Sequence, residues 1–249
     1  MSELKYCFII PTYNHHKRLK ALLTDLSIYQ LPFFLIDDGS ATETKNEIKI
    51  LEKQFQNLFV ISLKENNGKG YGVILGCQLA FNQGFSHGIQ IDADYQHNAK
   101  DIKKFIKASQ SNIKALISGN PIYDDSIPKS RLYGRKITNF WVIIETLSFK
   151  IPEAMCGFRI YPLKETVNLS QKTNLNKRMG FDIEVVVRLY WQNTPVIFID
   201  TPVIYPKGNT SNFRGFKDNL TISLTHTKLF FAMLIRLPKL ILNKLSKKI

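Results

Sequence analysis

Cysteine is scarce in this chain, and acidic residues are outnumbered. Cys7, Cys77 and Cys156 are the three cysteines, far apart and odd in number. That excludes a disulfide framework and the close-spaced patterns that hold structural zinc. A reducing cytoplasm is the compartment this usage implies. No uninterrupted apolar run reaches about 18 residues, so no membrane-spanning helix is expected. The N-terminal apolar run is too short for a secretory signal and ends at Pro11. Internal repeats and low-complexity linkers are also missing. Asp and Glu together number 20 against 34 Lys and Arg, a formal net charge of +14. Such a surface attracts phosphorylated substrates, anionic lipid or nucleic acid, and charge alone does not choose. Stacking aromatics interleaved with basic residues, as a nucleic-acid surface needs, are absent, so no nucleic acid is expected as a partner.

What is present is a regular alternation. Short apolar runs at 6–10, 33–36, 58–63, 88–91, 115–118, 158–161 and 196–205 read as strands. Between them, apolar residues fall at helical spacing, as in Leu19, Leu22, Leu23 and Leu26. Helices are expected over 41–55, 71–83, 101–109, 137–147 and 181–191, with a polar loop over 120–135. Alternating strand and helix predicts an α/β fold, a mostly parallel central sheet flanked by helices. The expected organisation is one domain over 1–218 and a helical, basic tail over 219–249.

Each early strand ends in a polar motif. Strand one ends in Pro11-Thr12-Tyr13-Asn14, where Asn14 is placed to cap the next helix. Strand two ends in Asp37-Asp38-Gly39-Ser40, where a carboxylate can hold ribose hydroxyls or a base edge. The plainer account is an Asx turn. Strand three leads to Asn67-Gly68-Lys69-Gly70, whose glycines admit close backbone approach and whose lysine adds charge. Strand four leads to Asp92-Ala93-Asp94 and Gln96. Three hard oxygen donors at this spacing suit Mg²⁺ or Mn²⁺. Two solvated loop aspartates are the bland alternative. Ligands of open α/β sheets bind outside the carboxyl ends of the strands, so all four motifs line one edge. Together they describe a site for a nucleoside diphosphate with a leaving group.

In these motifs, PTYN (11–14), DDGS (37–40), NNGKGYG (66–72), DADYQ (92–96), SGNPIY (118–123) and CGFRIY (156–161), the sequence resembles the family 2 inverting glycosyltransferases of A-type fold. It is most similar to their dolichyl- or polyprenyl-phosphate sugar synthase branch. The resemblance covers about residues 5–215. It implies a metal-dependent inverting transfer of a sugar from a UDP- or GDP-linked donor to an acceptor, a lipid-linked phosphate or hydroxyl. Pro11, Tyr13 and Asp38 would hold the nucleoside, with Asn14 and Lys69 beside them. Asp92, Asp94 and Gln96 would hold the metal, which makes Asp94 essential to turnover. The branch commonly has Gly-Ser/Thr-Arg where this chain has Gly119-Asn120; Lys129, Arg131, Arg135 or Lys136 are the candidate replacements. A sugar-phosphate nucleotidyltransferase is the rival enzyme, but 11–18 is not the glycine- and arginine-rich loop it needs.

An acceptor hydroxyl requires a general base, and a phosphate requires none. Asp182 and Glu184 are the candidates, and Asp182 is favoured because Glu184 is spaced to pair with Arg188. Arg159, a charge inside an apolar strand, reads either as a phosphate or acceptor contact or as part of an exposed strand face. His97 reads as a metal ligand or a lining residue, and His15 and His16 as solvated. Residues 207–217, with Arg214, read as a basic loop able to close over the diphosphate. The tail over 229–249 alternates apolar residues with Arg236, Lys239 and Lys244, and Pro238 is expected to break any long helix. It suits equally an interfacial anchor, giving a peripheral place on the cytoplasmic face of a membrane, and a helix packed on the domain.

Overall fold

The computed structural model describes residues 3–124, 127–203 and 213–245. Most of the expected basic loop over 207–217 therefore lies outside the described residues. Strands β1 (Tyr6–Thr12), β2 (Phe33–Asp37), β3 (Leu58–Ser62), β4 (His87–Gln90), β5 (Leu116–Tyr123), β6 (Arg159–Pro162) and β7 (Val196–Val203) form one sheet. Their order is β3-β2-β1-β4-β6-β5-β7. Strand β6 runs antiparallel to β4 and β5; every other neighbouring pair is parallel. All of β1 and β2 is buried, as continuous apolar runs covered on both faces must be.

Helices α1 (His16–Ser27), α2 (Thr42–Gln54) and α4 (Ile102–Ser111) cover one face through Leu19, Leu22, Ile48 and Phe105. Helices α3 (Lys69–Asn82), α5 (Lys129–Thr146), α6 (Leu163–Lys172), α7 (Phe181–Trp191) and α8 (Gly215–Leu245) build the other through Val73, Val142, Leu169, Val186 and Leu229. The expected α/β class and mostly parallel sheet are what the chain adopts.

Four local expectations fail for identifiable reasons. Strand β1 does not stop at Pro11, which pairs in register with Ile36 and leads on to Thr12. The loop expected over 120–135 is mostly ordered: β5 runs beside β7 to Tyr123, and α5 starts at Lys129 behind Pro128. Helix α6 was not expected at all. Helix α8 continues through Pro238. Its inward residues on either side of the proline, Met233 and Leu240, are buried, and that packing offsets the roughly 3 kcal/mol cost of an interior proline. Helix α8 also corrects the expectation that no segment reaches membrane-spanning length. Its few charges are spaced widely enough that residues 215–242 are long and apolar enough to cross a membrane by length and composition. Its inner face packs against α5 and α7. The expected domain boundary at 218 falls in its first turn.

Candidate active site

The strand ends open into a cavity of about 1630 Å³. Its floor is built from the loops after β1, β2, β3 and β4. Asn14, at φ 59°, does not cap α1, whose cap position is His15. Instead its side-chain carbonyl accepts from the Ala41 N–H at 2.8 Å, and its own N–H donates to Ser40 Oγ at 3.0 Å. Asn14 thus sews the first loop to the second and does not line the cavity, which Pro11 and Tyr13 do. Asp38 lines the cavity but is only 3% exposed. Its two oxygens accept from the backbone N–H groups of Asn67 and Gly68, at 2.8 and 2.7 Å. Burial pushes its pKa up, against those two bonds. The carboxylate expected to grip a nucleoside therefore shapes the loop after β3. Gly68 sits there at φ +104°, where a side chain would meet the Lys177 carbonyl.

That loop delivers Lys69 to the centre. Its ammonium lies 2.8 Å from Asp92 Oδ2 and 2.9 Å from Asp182 Oδ2, joining the start of α3 to the end of β4 and the start of α7. Burial would lower the lysine's pKa, but the two carboxylates outweigh it and hold the ammonium charged. Asp92 moves the other way: burial pushes it up, and Lys69 brings it below the ordinary carboxylate range. Asp94 forms no ion pair among the described residues, and the charges of Lys69 and Arg131 oppose its shift only weakly. Burial, then the charge of Asp92, push it up to about 6. Its Oδ1 accepts from the Gln96 N–H at 3.2 Å.

Asp92, Asp94 and Gln96 all line the cavity and present only hard oxygens, a set that fits Mg²⁺ or Mn²⁺. Among the described residues no group of three His, Cys, Asp or Glu could hold an ion. A cation here would complete its coordination with substrate or solvent oxygens, as magnesium sites usually do.

Asp182 lines the same cavity, and its buried Oδ1 has no hydrogen-bond partner among the described residues. Glu184 does not line it. Fully buried, Glu184 accepts from the Asn176 N–H at 2.7 Å and pairs with Arg188 at 2.7 Å and Lys228 at 2.9 Å. It is a tie between α7 and α8 and is not placed to act as a base. Arg159 is likewise neither on an exposed face nor in the cavity. It is fully buried and donates to the carbonyls of Asp182 and Ala154, each at 2.8 Å. It fixes the backbone that carries Asp182.

Arg131, Arg135 and Arg214 do reach the cavity wall. Arg135 pairs with Glu153 at 2.8 Å and stacks over Tyr123; Arg214 pairs with Asp218 at 3.4 Å. His15 is a lining residue rather than a solvated one, and burial lowers its pKa. His16 bonds Thr44 Oγ1 at 2.8 Å. His97 is half-buried, its ring 5.3 Å from that of Phe158 and outside the cavity lining, and desolvation pushes its pKa down to about 4.

Sequence reasoning missed Arg178, which lines the cavity and holds Asn66 through its guanidinium. The one signal was its position four residues before Asp182. It also missed the apolar wall of Ile137, Trp141, Met155, Ile222 and Phe230. Those residues come from α5, α8 and the Met155 segment, which only the fold brings together.

The comparisons agree with this geometry. The model of the family described as glycosyl transferase family 2 matches residues 7–165. An N-acetylglucosaminyltransferase of Methanococcus voltae, named for UDP-N-acetylglucosamine and dolichyl phosphate, is 26% identical over 188 residues, 69% of this chain and 75% of that protein. A dolichyl-phosphate beta-glucosyltransferase of Trichomonas vaginalis is 25% identical over 202 residues, 72% of this chain and 60% of its own. Among solved structures, glucosyl-3-phosphoglycerate synthase from Mycobacterium tuberculosis, in complex with Mn²⁺ and UDP-glucose, shares the fold at a TM-score of 0.68. That match has 10% identity and covers 93% of this chain and 79% of the other. The family match spans more than half of the chain, and it assigns glycosyl rather than nucleotidyl transfer: this protein belongs to glycosyl transferase family 2 and is a glycosyltransferase.

Proposed function

We propose that this glycosyltransferase is metal-dependent and inverting, and that it moves a sugar from a UDP- or GDP-linked donor to a lipid-linked acceptor. One observation carries the reading. Lys69 gathers Asp92, just past the end of β4, and Asp182, in the first turn of α7 and 90 residues away in sequence, onto one cavity floor beside Asp94 and Gln96. Pro11 and Tyr13 stand at the nucleoside end. Asp92, Asp94 and Gln96 would hold the divalent cation, which supplies positive charge to the diphosphate as it leaves. Lys69 and Arg178 add fixed positive charge on the same floor, aimed where negative charge develops.

With a hydroxyl acceptor, the acceptor proton passes to the Asp182 carboxylate. The acceptor oxygen bonds to the anomeric carbon, and the bond from that carbon to the diphosphate breaks with its electron pair. A phosphate acceptor arrives ionised and leaves Asp182 only its electrostatic role. The apolar wall of Ile137, Trp141, Ile222 and Phe230 supports an acceptor with a hydrocarbon chain. Relatives named for dolichyl phosphate point the same way.

Thermal unfolding with UDP- and GDP-sugars, with and without Mn²⁺, tests this. A stabilising shift is expected for one base and only with metal, and Asp94→Asn is expected to remove it while leaving the unliganded transition in place. An equal shift without metal, or an unaltered shift in Asp94→Asn, overturns the metal assignment.

A further inference from the structure

A second, smaller pocket of about 190 Å³ lies away from the active site, between α6, α7 and α8. Arg188, Arg236 and Lys239 line it, together with Thr173, Gln192 and Trp191. No acidic residue does. Arg188 is only 7% exposed, and the guanidinium groups of Arg188 and Arg236 both lie over the Trp191 ring, 5.8 and 5.0 Å from its centroid. Glu184 compensates Arg188. Among the described residues, no carboxylate pairs with Arg236 or Lys239; the guanidinium of Arg236 donates only to the Ala232 carbonyl of its own helix. Three cations and no carboxylate line the pocket, so it carries more positive charge than its own lining neutralises; burial and then the charge of Arg188 pull the pKa of Arg236 down.

The outer surface of the same helix carries a stripe of exposed apolar side chains among polar ones. Leu220, Leu224, Phe231, Leu234, Ile235 and Leu242 are all exposed, and at about 100° of rotation per residue they fall along one side of α8. A cationic pocket beside a stripe of exposed hydrocarbon matches the two halves of an anionic phospholipid.

We propose that the pocket of Arg188, Arg236 and Lys239 binds the phosphate headgroup of an anionic phospholipid, and that the outer stripe of α8 lies in the membrane interface beside it. A lipid bound there docks the enzyme without entering the catalytic cavity, so this site stands independently of the sugar donor and acceptor.

Sedimentation of the full chain with vesicles tests it. Binding is expected to mixed phosphatidylcholine–phosphatidylglycerol vesicles and not to pure phosphatidylcholine. Arg236→Gln with Lys239→Gln should weaken it about thirtyfold, each basic side chain near an anionic surface contributing roughly fivefold. Arg236→Lys keeps the charge and loses the fork over Trp191, so it should still weaken binding. In both variants, donor-induced thermal stabilisation should match the wild type. Unchanged vesicle binding in the double variant, or full binding in Arg236→Lys, overturns the pocket. Free glycerol phosphate protecting the protein while vesicles fail to bind makes the ligand a soluble phosphate and overturns the membrane reading. Resistance of the bound protein to alkaline carbonate makes α8 a spanning helix and does the same.

Discussion

At the scale of single residues, the site depends on an atom that is missing. Gly157 follows Cys156 in the CGFR motif, and a methyl group built on it would stand well inside van der Waals contact with Asp92 Oδ2 and Lys69 Nζ. Both obstacles are the far ends of side chains, which can move, so the fold should survive Gly157→Ala. The Lys69 bridge should not. Expected is a loss of turnover of about a hundredfold or more, the scale seen when preorganised charge is displaced, with an unfolding midpoint near that of the wild type. Turnover within about threefold of wild type would mean that the bridge tolerates displacement. The sequence displayed Asp92 and Asp94 through their place after a strand, and Lys69 through its glycine loop. It could not display the contact of Lys69 with Asp182, because the partners are 113 residues apart. Nor could it display that Asp38 turns both oxygens inward: a strand-end carboxylate satisfied by backbone and one awaiting a ligand have the same neighbours in sequence.

At the scale of elements, the strands were legible because buried parallel strands are continuous apolar runs. Helix α6 was not, since β6 passes into it directly at Pro162 with no turn residues between. In α7 the apolar spacing was legible but the roles of its acids were not. Glu184 faces the packed interior, with Arg188 and Lys228 against it, while Asp182, two residues earlier, faces the cavity. The two acids should therefore separate cleanly on substitution. Glu184→Gln is expected to cost about 3 kcal/mol of stability, at the lower end for breaking buried ion pairs because Lys228 is half exposed. Turnover per folded molecule should stay within about threefold, as the side chain touches nothing in the cavity. Denaturant unfolding and initial rates measured on one preparation decide it. A large rate loss at unchanged stability would return Glu184 to the list of candidate bases.

At the scale of the whole molecule, α8 is where the sequence reading and the fold part most. Its alternation of apolar and basic residues suggested a tail, because a helix with one face on the protein and another exposed shows no clean single stripe. In the folded chain its inner face closes the cavity with Ile222 and Phe230. It is tied to the body by His226 on Glu145 at 2.8 Å, by Lys228 on Glu184 and by Thr225 on Asn176. Ile222, Leu229, Met233 and Leu240 are each less than 10% exposed. Burying four such side chains contributes roughly 6 to 12 kcal/mol, which is comparable to the entire stability of a typical domain. Removal of residues 219–249 would also strand Glu145, whose pKa burial already raises and His226 alone opposes. A chain ending at 218 is therefore expected to give no cooperative thermal transition and no donor-induced stabilisation, by calorimetry and size exclusion. A soluble, cooperatively folding 1–218 that still binds the donor would show α8 to be separable, and would leave the apolar wall of the cavity to α5 and Met155.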